Sequence, residues 1–139
     1  MTGAFVADAS VAIGWVHPSQ ATPRSAALLD AMAEGAILEV PALFPLEVAN
    51  ALTVLVRRRK LATDDRAAAL GWFRGLPLRI DQEMAVLAFS RLADLATEYQ
   101  LTVYDAAYLE LAHRRRLPLA CSDAGLMKAA GRAGVTLWS

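Results

Sequence analysis

The amino-acid sequence predicts an α/β fold with a parallel sheet, and three observations carry that prediction. Short apolar runs recur along the chain, each too brief for a helix and bounded by turn residues or acids. Between them lie longer stretches with apolar residues at helical spacing, opened by Thr, Asp or Pro and closed by Gly or by basic residues. The two kinds of segment alternate with no linker, internal repeat or low-complexity stretch between them, as strand–helix–strand units do when they lay parallel strands side by side. One compact domain, residues 1–139, is the simplest organisation.

Ala4-Phe5-Val6-Ala7 reads as a buried strand ending at Asp8-Ala9-Ser10. A helix follows, carrying Val11, Ala12, Trp15 and Val16, and stops ahead of Pro18 because a residue before proline is driven out of the helical region. Thr22-Pro23 supplies a cap and a proline at the first helical position, opening a helix through Ala33 that Gly35 closes. Ile37-Leu38-Glu39-Val40 is the second strand. Pro41 to Pro45 make a turn, and Leu46 to Arg59 form a long helix with Glu47 in its first turn. Thr63 caps the next helix, which carries Trp72 and Phe73 as core or interface residues and ends at Gly75. Leu78-Arg79-Ile80 is the third strand, and Asp81 caps a helix running to Tyr99. Thr102 and Asp105 have capping-box spacing, with Asp in place of Glu, and open a helix that ends in Arg114-Arg115-Arg116. Pro118-Leu119-Ala120-Cys121 is the fourth strand and leads into Ser122-Asp123. A short helix from Ala124 to Ala130 and a last strand from Val135 to Trp138 complete the chain.

Composition narrows the function classes. The chain has 139 residues, enough for a real core, and 56% of them are apolar, above the usual range. With a mean hydropathy of +0.35, that excess calls for a thick core, a subunit interface, or both. It does not call for a membrane span, because Glu39, Pro41, Pro45, Glu47 and Asn50 break the most apolar region. No Lys or Arg precedes Arg24, so the N-terminus lacks a secretory n-region. Cys121 is the single cysteine, which excludes an internal disulfide and fits a reducing cytoplasm; a small buried hydrophobe is its expected role. His17 and His113 stand far apart and give no zinc spacing. Net charge is zero, yet Arg57-Arg58-Arg59-Lys60 and Arg114-Arg115-Arg116 are concentrated patches. Each is either a solvated helix end or a set of phosphate contacts.

Four acids carry the chemistry. Asp8 and Asp123 end strands, while Glu47 and Asp105 lie in the first turns of helices. In an open parallel sheet these positions share the C-terminal edge, where ligands bind. Two carboxylates about 4 Å apart repel by on the order of 4 kcal/mol at an effective dielectric near 20. Helix N-termini offset only part of that, so the set must take up protons or bind cations. Oxygen ligands without His or Cys select hard ions, Mg²⁺ or Mn²⁺.

At these residues the sequence resembles a known family. Phe5-Val6-Ala7-Asp8-Ala9-Ser10, Leu46-Glu47-Val48-Ala49-Asn50-Ala51-Leu52, Val103-Tyr104-Asp105-Ala106-Ala107-Tyr108 and Leu119-Ala120-Cys121-Ser122-Asp123 resemble the four signature segments of PIN-domain ribonucleases, in order and over nearly the whole chain. The likeness is greatest to VapC-type toxins of bacterial toxin–antitoxin pairs. It implies a single PIN-like domain, with helices flanking a central parallel sheet and an acidic site at the sheet's C-terminal edge. Asp8, Glu47, Asp105 and Asp123 match the metal-binding, catalytic acids. Ser10 matches a small hydroxyl residue beside the first acid, and Asn50 matches a polar position one turn beyond the second. The residues themselves leave Ser10 open as a helix cap and Asn50 open as a helix–helix hydrogen bond. Ala124-Gly125 departs from the family, which often has basic or polar residues there.

The resemblance further implies Mg²⁺- or Mn²⁺-dependent endoribonuclease activity, a homodimer, and inhibition by a cognate antitoxin of a type II pair. Arg57, Arg58, Arg114, Arg115 and Arg116 are the candidate RNA-binding residues, and an antitoxin arginine is the expected visitor to the acidic site. Three rival readings remain. The same acids would serve a metal-dependent DNA nuclease, or a domain that binds RNA or protein without catalysis. An aspartyl-phosphate phosphatase fits less well, because Ser10 stands where a second acid is wanted.

Overall fold

The computed structural model describes residues 3–138. Four parallel strands, β1 (Ala4–Ala7), β2 (Ile37–Pro41), β3 (Leu78–Asp81) and β4 (Leu119–Ala120), lie in the order β3-β2-β1-β4. Ala4 pairs with Ile37, Leu38 with Leu78, and Ala7 with Ala120. The chain therefore starts mid-sheet, steps outward through β2 and β3, and returns to place β4 on the other side of β1. That reversal opens a crevice at the C-terminal ends of β1 and β4, the position where ligands enter such sheets.

The helices are α1 (Ala9–Ile13), α2 (Pro23–Ala33), α3 (Phe44–Arg57), α4 (Thr63–Arg74), α5 (Met84–Leu87), α6 (Ala93–Tyr99), α7 (Val103–Arg115) and α8 (Ala124–Ala133). A π-helical turn, Ala88–Leu92, joins α5 to α6. None of the helices is long and apolar enough to cross a membrane. The sequence predicts an apolar stripe on α7, but the helix is buried all round from Ala106 to Ala112. It packs on β1 and β2 and is flanked by α6 and α8. Ala106, Ala107 and Ala112 let its backbone come close to those neighbours. Phe5, Leu38, Leu52, Leu109 and Leu126 fill the core beside it, each fully buried and worth about 1.5–3 kcal/mol in area removed from water. Phe73 is buried in a chain of edge-to-face and tilted rings with Phe44, Trp15 and Trp72.

Several boundaries differ from expectation for local reasons. α1 ends at Ile13, short of Trp15 and Val16, because the chain turns at Gly14. A Cβ there would meet the Gln20 carbonyl at 2.7 Å and Ser25 Oγ at 3.0 Å. α3 begins at Phe44, ahead of Leu46, since Pro45 sits in the first turn, where its missing N–H costs nothing. Thr63 lies inside α4 and does not cap it; Ala62 holds the cap position. Asp81 is no helix cap either. It ends β3, accepts the Glu83 N–H and is bound by arginine, and the helix starts at Met84. The expected last strand over Val135–Trp138 shrinks to one parallel bridge between Leu119 and Leu137. β4 is only two residues long, so it offers little edge to pair with.

Candidate functional site

Asp8 follows β1 and caps α1. Its Oδ1 accepts the Val11 N–H at 3.1 Å and the Ser10 hydroxyl at 2.7 Å. Both bonds fall on one oxygen, and none from the described residues reaches Oδ2. Ser10 is therefore not the cap; it holds the capping acid. Across the crevice, Asp123 follows β4 and caps α8, its Oδ2 accepting the Leu126 N–H at 2.8 Å. Gly125 leaves room beside that oxygen, which a Cβ would approach to 3.0 Å. The departure of Ala124-Gly125 from the family pattern is thus compatible with an uncrowded Asp123.

Glu47 enters from the first turn of α3 and Asp105 from the first turn of α7. Thr102 accepts the Asp105 N–H at 3.0 Å, fixing the turn that presents the acid. The four carboxylates line one cavity of about 190 Å³, together with Ala9, Ser10 and Tyr108. The N-termini of α3, α7 and α8 bring their partial positive charges to the same edge. Three larger clefts, of about 1030, 490 and 280 Å³, contain none of these acids.

The electrostatics are those of a charge cluster short of counter-charge. Burial raises the Asp8 carboxyl above its ordinary range, with Asp123 adding to it, while Ser10 and the Val11 N–H pull the other way. Glu47 is raised by burial and by Asp8 and Asp105, against the pull of Tyr108. Burial, Asp123 and Asp8 raise Asp105. Cys121, behind the site, is pushed up to about 12, chiefly by burial, so its thiol stays protonated and inert.

Among the described residues, no three acidic, His or Cys side chains stand close enough to enclose a metal ion by themselves. The donor set nonetheless fits Mg²⁺ or Mn²⁺. Such ions need only one or two carboxylates, keep several waters and complete their shell with phosphate oxygens. An all-oxygen, partly desolvated cluster biased toward taking up positive charge is what that coordination requires.

The other candidates fall elsewhere. Asn50 is exposed and does not line the cavity. Arg57 and Arg58 are exposed at the far end of α3, roughly 15 Å of helix from Glu47. Arg114 and Arg115 need correcting as free phosphate contacts. Arg114 Nη2 pairs with Asp81 Oδ2 at 2.7 Å and its Nε with Glu110 Oε2 at 2.9 Å. Arg115 Nε lies 3.6 Å from Glu39 Oε1. Glu39, Asp81 and Glu110 are buried, and these arginines, with Arg79 Nη1 donating to Glu39 Oε2 at 3.3 Å, supply the counter-charge for the three interior acids. Arg116 is exposed and ends α7 in the left-handed conformation. Sequence reasoning missed Tyr108 as a site residue, although it lies three residues after Asp105, on the same helix face.

No protein-family model matches the sequence, and no curated protein is similar to it. Solved structures are. VapBC2 from Rickettsia felis, bound to a DNA fragment from their promoter, matches over 100% of both chains with a TM-score of 0.66 and 11% identity. PAE2754 from Pyrobaculum aerophilum matches over 93% of this chain and 87% of its own, with a TM-score of 0.62 and 21% identity. A toxin–antitoxin complex from Klebsiella pneumoniae covers 86% of each chain at a TM-score of 0.54 and 19% identity. The chain has the PIN-like fold. In this PIN-like fold the sheet's crevice, four helix starts and the acidic cavity coincide.

Proposed function

We propose that this protein is a divalent-cation-dependent endoribonuclease, the toxin of a type II toxin–antitoxin pair. The observation that carries the reading is the meeting of Asp8, Glu47, Asp105 and Asp123 in one cavity from four separate segments. Its support from outside the site is the fold shared with a toxin–antitoxin complex and with VapBC2. The resemblance of the signature segments favours RNA over DNA.

In this reading the carboxylates hold Mg²⁺ or Mn²⁺, Ser10 keeps Asp8 aimed, and the N-termini of α3, α7 and α8 draw a phosphate toward the cavity. A bound cation would neutralise the acids and stabilise charge on a phosphodiester as it is cleaved. Arg57, Arg58 and Arg116 grip flanking phosphates, since no ion pair among the described residues engages them. A homodimer covers exposed apolar side chains. Phe73 is buried at home, so the better candidates are Val86 and the fully exposed Phe89, on α5 and the π-helical turn. A cognate antitoxin closes the acidic cavity with an arginine. Purified protein incubated with total RNA, with Mn²⁺ or with excess EDTA, tests the reading, and sequencing of the new 5′ ends names the target. Cleavage that persists undiminished in EDTA overturns it.

A further inference from the structure

Arg24 stands in the first turn of α2, where a cation opposes the helix dipole. Helix stability therefore gives no reason for it. The turn is pinned by a reciprocal capping box of Thr22 and Ser25 and by Trp15 Nε1, which donates to the Ser25 carbonyl at 2.8 Å. From that base the half-buried side chain crosses to β4, and Nη1 donates to the Cys121 carbonyl at 2.7 Å. Cys121 directly follows β4, at the edge of the sheet where the acids gather. Asp123 is two residues further on, a chain length of at most about 7 Å, so the guanidinium stands beside the acidic site. Its charge is felt at the Cys121 thiol but is no cause of the shifts at Asp8, Glu47 or Asp105. No carboxylate among the described residues pairs with it. One N–H serves the carbonyl, while the other donors and the full charge stay uncommitted.

A strut between α2 and β4 would need only a neutral donor. A positive charge held next to four acids, yet spent on none of them, is suited to an anion that the acids alone would repel. We infer that Arg24 is a substrate-binding residue that holds an RNA phosphate flanking the one to be cleaved. The inference rests on the proposed nuclease reading. A planar guanidinium offers a phosphate two parallel N–H donors. The carbonyl bond orients the side chain before RNA arrives, so less rotamer freedom is lost on binding.

The test is fluorescence anisotropy of the full chain with a labelled single-stranded RNA in Mn²⁺, from low to moderate KCl, its phosphates replaced by phosphorothioates to slow cleavage. Wild type is compared with Arg24→Gln, which removes the charge and keeps a donor for a carbonyl. Arg24→Gln should bind about tenfold more weakly at low salt. Its log–log salt slope should be shallower by up to about 0.7. Arg24→Lys should keep the slope, because the charge remains, and lose affinity severalfold, because the bidentate fork is gone. A strut would instead lower Tm in Arg24→Gln and leave the slope where it was, and that result overturns the inference. So does an Arg24→Gln variant that keeps the slope but lets go of the adjacent gene's product, which would give the charge to a protein acid. If Arg24→Gln does not fold, Arg24→Lys decides alone, and undiminished affinity there overturns the inference. Failure of the nuclease reading shows separately, as a wild type that leaves ordinary RNA intact in Mn²⁺.

Discussion

Arg114 clamps Asp81 with both ends of its guanidinium, Nη1 to Oδ1 at 3.0 Å and Nη2 to Oδ2 at 2.7 Å. The same side chain reaches back one turn to Glu110, whose carboxylate is buried in the middle of α7. One partly exposed arginine thus neutralises two interior acids and fixes the C-terminal end of α7 to the end of β3. Removing one partner of a buried pair strands the other, the expensive case. Arg114→Ala should therefore lower stability by about 2–4 kcal/mol, reduced somewhat for the arginine's partial exposure. Arg116→Ala should stay within about 0.5 kcal/mol. Urea titration of the two variants checks this, and equal small losses would make the clamp a surface ornament.

The basic residues that remain exposed define a second expectation. Arg57→Ala and Arg58→Ala should weaken RNA binding and flatten its salt dependence, by up to about 0.7 in log–log slope per lost contact on a single strand. Arg114→Ala, measured on the folded fraction, should leave that slope alone. Filter binding from low to moderate salt separates the two groups. A slope that responds to Arg114 and ignores Arg57 would reverse the assignment.

Proton linkage supplies a third. Asp81 is held below its ordinary value chiefly by Arg114, so its contribution is present above about pH 4 and is lost as the pH falls through its depressed value. Asp8, Glu47 and Asp105 have the opposite sign. Their carboxyls are raised on folding, so their contribution is full below their ordinary values, 3.8 for Asp and 4.5 for Glu, and is lost as the pH rises through the raised ones. The metal-free protein should be most stable in mild acid, roughly pH 5, and should weaken toward neutrality. Saturating Mn²⁺ should remove the loss at neutral pH, because the cation replaces the missing protons. Melting curves from pH 4 to 8, with and without Mn²⁺, read this directly; a metal-free Tm that climbs steadily to pH 8 contradicts it.

How much of this was legible beforehand depended on whether a residue's signal was local. Thr102 accepting the Asp105 N–H and Thr22 capping α2 are contacts within one turn, and residue order over four positions is enough to show them. The four acids were legible because strand ends and helix starts must share an edge in a parallel sheet, whatever the loops do. Asp81 was misread because an acid before a helix looks like a cap, while its true partner, Arg114, lies 33 positions away. Arg115 was misread for the same reason, since nothing in a basic run announces a buried Glu39 on another strand. Asn50 matched a family position, but helix rotation carries it out of the cavity. Tyr108 hid in a buried apolar run, where only its spacing from Asp105 could have betrayed it.

Direct tests of the acids come next. Asp8→Asn keeps the shape and the hydrogen bonds at Oδ1 but removes a charge at the crevice. In the proposed reading it should reduce cleavage by at least about 10²-fold, since a direct ligand should matter no less than its outer supports. Ser10→Ala should be milder, about 10-fold in Mn²⁺ affinity, because Asp8 keeps the Val11 N–H. Rates at saturating Mn²⁺ separate the two, as Ser10→Ala should recover and Asp8→Asn should not. Full recovery of Asp8→Asn would remove it from the centre.

Control of the protein should act at the same acids. Without a cation the cavity holds carboxylates biased toward positive charge, and a guanidinium can bridge two of them while never losing its own charge. An antitoxin segment carrying one arginine would then compete with metal, and its apolar residues would lie along neighbouring helices. For the product of the adjacent gene this has three consequences. It should co-purify with the wild type and silence cleavage, and its hold should weaken in Glu47→Gln, where one of the bridging charges is gone. Excess Mn²⁺ should loosen the wild-type complex, because cation and arginine seek the same oxygens. A pull-down of wild type and Glu47→Gln, repeated across Mn²⁺ concentrations, measures all three effects. Retention that ignores both the charge change and the metal would move the antitoxin's contact away from the acidic cavity. A neighbour that binds neither form and leaves cleavage untouched would end the toxin reading while the nuclease reading stands.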